Sequence, residues 1–226
     1  MMKEEAITIH KERHALILSF PRPALTLSWA VLNGGFCHAD HIVNHHVDVG
    51  ALDFVADPAG WLRRRVDLLN LGGETVAMAT AVEMAFLIPI SLLDGGKRVD
   101  CFATVGCSNA LSAGDRASFQ EEKTASPHTI NMILLVHPGL TEEAMVEAVQ
   151  IATEGRVRAL YETGVLSRQS GLPATGTGTD CMAIVSLGED HLRYCGKHTS
   201  LGELIGLAAY TAVKTGVEKG RAGPRP

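Results

Sequence analysis

Two short strings in the C-terminal quarter of the chain hold residue types that hydrolytic chemistry uses. Ala174 to Asp180 reads A-T-G-T-G-T-D, and Gly196 to Gly206 reads G-K-H-T-S-L-G-E-L-I-G. Together they supply the hydroxyls of Thr177 and Thr179, the Asp180 carboxylate, the Lys197 ammonium and the His198 imidazole. A histidine oriented by a carboxylate can act as general base, and a cation beside backbone N–H groups can stabilise a tetrahedral oxyanion. These five are the candidate catalytic residues, with Gly176 and Gly178 as candidate substrate-binding positions beside them.

The residues between the strings suggest how the two could meet. Met182 to Val185 is an apolar run typical of a strand covered on both faces. Gly188-Glu189-Asp190 supplies turn chemistry, and His191 to Cys195 reads as the returning strand of a hairpin. If Leu187 pairs with His191, Asp180 falls across from His198, and a slip of one residue would move one of them to the other face. Ser200-Leu201-Gly202-Glu203 reads as a capping box, with Ser200 as N-cap and Glu203 at N3. His198 would then precede a helix N-terminus, where the dipole disfavours imidazolium and favours bound anions. Each residue also has a plainer reading. Glu203 serves as a capping partner, Asp180 caps a turn, Lys197 is solvated, and the glycines and threonines form an ordinary loop. Neither string is a phosphate-binding P-loop or a dinucleotide fingerprint, because the required glycines are missing.

These residues need a scaffold, and the periodicities outline one. Ile7–His10 and Ala15–Phe20 read as two strands joined by Lys11-Glu12-Arg13, and Leu25 to Val31 alternates with period two up to the turn at Asn33-Gly34-Gly35. Asp57-Pro58 opens a helix through Trp61 and Leu62. Glu74 to about Phe86 reads as a second, buried helix followed by an extended segment. Arg98–Val105 and Thr129–His137 read as strands, the latter apolar on both faces and therefore central. Thr141 caps a long helix with Glu142 and Glu143 in its first turn. Arg156 falls on that helix's apolar stripe, where it can snorkel, pair with a buried carboxylate such as Glu83, or reach a cleft. Strands cluster toward both ends without alternating strictly with helices. The expectation is an α+β fold, a layered mixed or antiparallel sheet packed on two or three long helices. Residues 1–219 are expected to form one domain, and 220–226 a disordered tail.

Composition excludes several functional classes. The 226 residues carry a formal charge of −5, with 46% hydrophobic and 20% charged residues. No basic block with interleaved aromatics is present, which argues against nucleic-acid binding. Five irregularly spaced cysteines form neither a disulfide framework nor a CxxC metal site. Thr75 to Leu93 approaches the length of a membrane span, but Glu83 and Pro89 interrupt it. Met1 to Glu5 has no apolar signal-peptide core. A cytoplasmic protein without membrane partners is the expectation.

Three further constellations stand out. His38, His41, His45 and His46 crowd one segment, and the four-residue spacing of His41 and His45 resembles zinc-site spacing. No third ligand is evident, so a polar loop is expected there and no metal. Asn44 in that segment could face a ligand. Gly106 to Asp115, G-C-S-N-A-L-S-A-G-D, follows a strand, and loops at strand ends often line sites. Ser108 and Asn109 are candidates there, with Ser108 or Cys107 as an alternative nucleophile. Asn131 is a polar amide in a strand that reads as doubly buried, so it must anchor a loop or face a ligand.

Taken together, these strings resemble the adenosylcobinamide amidohydrolase family of corrinoid salvage. The resemblance rests on Gly34-Gly35 with Asn44, G-C-S-N-A-L-S-A-G-D, T-I-N-M-I-L-L, L-T-E-E-A-M-V-E-A-V-Q-I-A-T-E and the two opening strings, in order from about residue 28 to 215. After A-T-E the family pattern is usually Ala-Lys, where this chain has Gly155-Arg156 and keeps the positive charge. The resemblance implies hydrolysis of the amide that joins the aminopropanol arm to the corrin ring, giving adenosylcobyric acid. It implies a corrinoid small-molecule partner, whose cobalt belongs to the substrate, and no enzyme cofactor. A substrate so large is compatible with a broad cleft, including one shared between subunits of a homo-oligomer. On this reading His198, oriented by Asp180, deprotonates a water or the hydroxyl of Thr177 or Thr179. Lys197 and helix amides hold the oxyanion, and Asn131 or Asn109 holds the amide. The competing expectations are a corrinoid carrier without catalysis, and a metal-dependent hydrolase built on the histidine segment.

Overall fold

A computed structural model of the chain describes residues 6–117 and 128–222. Its centre is one mixed sheet, and the path of that sheet is set by a single long strand. β1 (Thr8–Lys11) pairs antiparallel with β2 (Ala15–Ser28), as the N-terminal hairpin pattern predicts. β2 is long because the two expected strands are continuous. The register with β3 (Gly35–His46) shifts between Ser19 and Ala24, where Pro21 and Pro23 cannot donate to a ladder. Beyond that irregularity, Leu25–Ser28 passes to β11 (Cys181–Ser186). With β4 (Thr75–Thr80), β5 (Ile88–Asp94), β6 (Lys97–Val105) and β8 (Ile130–His137), the strand order is β4-β3-β2-β11-β8-β6-β5.

Side-chain alternation sorts the core into three apolar layers. Leu16, Leu18, Ile42, Val76 and Met78 on one side meet Phe102, Ile133, Leu135, Ala183 and Val185 on the other, so the sheet's two halves face each other. Their alternate residues point outward. Ile17, Val43 and Ala77 pack under α1 (Leu52–Ala56) and α2 (Pro58–Leu68). Met132, Leu134, Val136, Met182 and Ile184 pack under α3 (Glu142–Glu162) and α4 (Ser200–Ala222). The result is helix, sheet, sheet, helix, and the expected α+β class holds.

Several local expectations hold with it. Asp57 accepts from the Gly60 N–H at 2.9 Å and caps α2, and Thr141 caps α3 through the Ala144 N–H. β8 is central and its interior is fully apolar except at Asn131. Others are corrected. Residues 75–86 form β4 and a short 3-10 turn at Met84–Phe86, because a strand between two apolar layers is apolar on both faces and mimics a buried helix. The histidine segment is β3, paired parallel with β4, and not a loop. The hairpin after Cys181 does not form: β2 and β8 occupy both edges of β11, leaving none for residues 191–195. His191–Leu192 (β12) instead pairs with Gly139–Leu140 (β9). α4 runs to Ala222, so the expected boundary at 219 falls inside it, and residues 223–226 lie outside the described residues. The signal-peptide reading of Met1 to Glu5 also falls outside them. Among the described residues no helix is long and apolar enough to cross a membrane.

α3 and α4 approach closely at glycine. A Cβ on Gly155 would lie 2.6 Å from the Gly206 carbonyl oxygen, and backbone cannot yield there as a flexible side chain could. Gly155→Ala is therefore expected to destabilise the fold by about 1–3 kcal/mol, read as a lowered melting temperature by circular dichroism.

Candidate active site

Three of the sequence strings meet at Asp180, which precedes β11. β7 (Ala110–Leu111), from the G-C-S-N-A-L-S-A-G-D loop, pairs antiparallel with β10 (Gly176–Thr177), from A-T-G-T-G-T-D. The Thr175 N–H donates to Leu111 O at 2.9 Å, and the Ala113 N–H donates to Thr175 Oγ1 at 2.8 Å. The third string contributes the Ile130 N–H, which donates to Asp180 Oδ1 at 3.1 Å. The Thr177 N–H donates to Oδ2 at 2.9 Å, and the Thr177 hydroxyl donates to Oδ1. The Arg156 guanidinium, from α3, lies 2.9 Å from Oδ2. With side chains only 11% and 9% exposed, Arg156 and Asp180 form a buried pair; the carboxylate is well supplied with hydrogen bonds, while Arg156 Nε is buried without a partner among the described residues. Gly176 is required where it stands, since a Cβ would lie 2.2 Å from Asp180 Oδ2.

The consequence for Thr177 is directional. Its proton is held by Asp180, so the lone pairs of Oγ1 turn away from the carboxylate. Asn109 stands against the same turn: its Nδ2 is 3.8 Å from where a Gly178 Cβ would be, and its Oδ1 is buried without a partner among the described residues. Thr179 lies half-buried between Gly178 and Asp180. Beside this end of the sheet a pocket of about 570 Å³ is lined by Cys107, Ser108, His128, Leu166, Val217 and Arg221. Burial first, and the Asp180 charge second, push the Cys107 thiol up to about 11, which keeps it protonated and disfavours it as a nucleophile at neutral pH.

Asn44 and Asn131 are brought together, but on the other face of the sheet. Asn131 stands across from Cys181 in the β8–β11 ladder, whereas Asp180, one residue before Cys181, points the opposite way, to Arg156 of α3. Asn131 Nδ2 donates to Asn44 Oδ1 and to Ala79 O, both at 2.9 Å, and Asn44 Nδ2 donates to Thr104 Oγ1 at 3.0 Å. Asn131 Oδ1 is buried and has no partner among the described residues. These amides tie β3, β4, β6 and β8 together behind the Asp180 site.

Lys197 and His198 lie elsewhere. Lys197 Nζ pairs with Glu154 at 2.7 Å, and His198 is exposed. Thr199 caps α4, its hydroxyl accepting from the Gly202 N–H at 2.9 Å, so Ser200 is the first helical residue and Glu203 is no N3 partner. Gly155 backs onto Gly206 and Tyr210, so the start of α4 is displaced by roughly 9 Å along the helix from the level of Arg156. The expected pairing of Asp180 with His198 is thus replaced by Arg156 and Thr177, because the hairpin that would make it has no free edge to use.

Two of the β3 histidines are likewise committed, while His38 is exposed. His41 bonds Ser19 Oγ at 2.8 Å and Gly72 O at 2.7 Å, and His45 bonds the His46 carbonyl at 2.6 Å while packing edge-on against Trp61. Among the described residues no three His, Cys, Asp or Glu side chains gather as metal ligands. Burial lowers the His45 pKa below the usual histidine value. The folded state therefore favours neutral His45, and its contribution to stability is present above the ordinary histidine pKa and lost as pH falls below it. His45→Phe is expected to flatten that part of the stability–pH profile, measured by urea denaturation between neutral and mildly acidic pH.

Sequence reasoning missed Trp29 and Thr104 and left the partner of Arg156 open, naming Glu83 as an example. Thr104 could have been noticed as the lone hydroxyl in the run Cys101 to Val105, and Trp29 as the large residue just before the Asn33-Gly34-Gly35 turn.

Comparison with known proteins places the chain among hydrolases acting on amide bonds. It belongs to the adenosylcobinamide amidohydrolase family, whose model matches residues 1–223, and the resemblance read from the motifs is borne out. An adenosylcobinamide amidohydrolase of Methanosarcina mazei is 26% identical over 83% of this chain and 87% of its own length. An uncharacterised protein of Methanocaldococcus jannaschii is 27% identical over 90% and 85%. Among solved structures, a Pyrococcus horikoshii protein superposes with a TM-score of 0.46 at 10% identity, covering 94% of this chain and 82% of that one. A beta-aminopeptidase from Burkholderia sp. gives 0.43 at 13%, covering 93% and 81%.

Proposed function

We propose that the chain hydrolyses the amide joining the aminopropanol arm to the corrin ring of adenosylcobinamide, releasing adenosylcobyric acid and aminopropanol. The substrate comes from the family. The observation that carries the site is the Asp180 carboxylate, which takes the Ile130 N–H of one family string and the Thr177 hydroxyl of another, with a third string paired to the latter through β7 and β10.

In this reading Thr177 Oγ1 attacks the amide carbonyl carbon and its proton passes to Asp180. The C–N bond breaks, the departing nitrogen takes that proton, and the corrin acyl group remains as an ester on Thr177. Water then hydrolyses the ester by the same proton route, so the net reaction consumes one water. Arg156 holds the carboxylate in place and balances its charge throughout. The unpartnered Asn109 Oδ1 accepts the N–H of the bound amide, an acceptor that a ligand donor would satisfy. The cobalt belongs to the substrate and takes no part in this scheme.

Incubation of the purified protein with adenosylcobinamide, followed by mass spectrometry, tests the reading. Time-dependent appearance of adenosylcobyric acid with equimolar aminopropanol is expected. Recovery of intact adenosylcobinamide that stays bound to the protein would instead make the chain a corrinoid carrier.

A further inference from the structure

The Asp180 turn is joined to an exposed aromatic surface that the scheme above does not use. Trp29 Nε1 donates to the Asp180 carbonyl oxygen at 2.6 Å, while the residue remains 46% exposed. Its polar edge is thus satisfied by the turn that carries the candidate carboxylate, and part of the ring stays open to solvent. Phe36, also 46% exposed, stands directly across from Leu27 near the end of the β2–β3 ladder, and Trp29 is the residue that follows β2. Both aromatic residues therefore lie at the same end of the β2–β3 pair.

We infer that Trp29 is the platform on which the flat macrocycle of the substrate lies while its side-chain amide reaches Thr177. The inference rests on the proposed function and deepens it. A small amide would need only the polar centre, whereas a macrocycle with the amide on a short peripheral chain needs an apolar seat next to that centre. The bond from Trp29 to Asp180 fixes the distance between seat and centre, so Trp29 selects for large planar acyl groups.

Fluorescence reads the platform directly. The chain has two tryptophans, and Trp61 is only 5% exposed, packed between α2 and the far half of the sheet. Titration with dicyanocobinamide, which has the macrocycle but no adenosyl ligand, is expected to quench the Trp29 emission saturably. Trp29→Ala should abolish that quench, leave the Trp61 emission in place, and raise KM for adenosylcobinamide by roughly tenfold or more. The loss should fall on KM more than on kcat, and Trp29→Phe, which keeps an apolar ring but lacks the N–H that ties it to Asp180, should recover only part of it. Persistence of the quench in Trp29→Ala, an unchanged KM, or quenching by adenosylcobinamide alone would overturn the inference; the last result would make the seat one for adenine. Saturable Trp29-dependent quenching without hydrolysis by the wild type would leave the platform standing and overturn the proposed function. Hydrolysis indifferent to Trp29 would do the reverse, and the absence of both would remove both.

Discussion

Thr177→Val should lower kcat for amide hydrolysis by roughly 10²–10⁴-fold, the range expected when a group that exchanges a proton in the transition state is removed. Valine matches threonine in shape and keeps the backbone N–H that binds Asp180 Oδ2, so the carboxylate retains Ile130, Arg156 and that N–H as partners. The fold should therefore be preserved, and circular dichroism should show an unchanged melting profile. Thr177→Ser restores the hydroxyl and should restore most of the rate. Because the hydroxyl acts in the transition state, the defect should appear in kcat and kcat/KM together. Initial rates of adenosylcobyric acid formation across substrate concentration separate this from a defect in binding.

The second large effect is on stability. Arg156→Met leaves Asp180 as a buried carboxylate without its counter-charge, and breaking such a pair costs about 3–5 kcal/mol. For a chain of this length that corresponds to a fall in melting temperature on the order of 10 °C. Arg156→Lys keeps the charge but loses the planar fork that lets the guanidinium share its bonding, so an intermediate loss is expected. Replacing both partners, Arg156→Met with Asp180→Leu, should recover part of the stability while leaving the protein inactive. That combination separates the structural role of the pair from its chemical one, measured by urea denaturation alongside turnover.

What the sequence made legible follows the range of the interactions involved. The caps at Asp57 and Thr141 and the doubly covered strand at Ile130–His137 are written in a few neighbouring residues, and they were readable. β4 was misread because its two apolar faces arise from a folded sheet, and its run of T-V-A-M-A-T has no period of its own to reveal that. The strings carrying Thr177, Asp180, Asn109 and Asn131 could be singled out by residue type. Their joining through the β7–β10 ladder could not, since that depends on chain segments more than sixty residues apart. The Asp180–His198 register assumed that neighbours in sequence pair in space, whereas β11 sits between β2 and β8 and has both edges filled. Arg156 shows the same limit: its place on an apolar stripe announced a buried partner, but only the crossover from β8 through α3 to β11 shows which carboxylate it meets.

The most direct test compares two single variants in one assay. Adenosylcobinamide is incubated with the wild type, Thr177→Val and His198→Ala, and adenosylcobyric acid is followed by mass. A centre built on Thr177, Asp180 and Arg156 predicts product from the wild type and from His198→Ala, and none above background from Thr177→Val. Full turnover by Thr177→Val, with silence from a folded His198→Ala, would contradict it and return the chemistry to the start of α4.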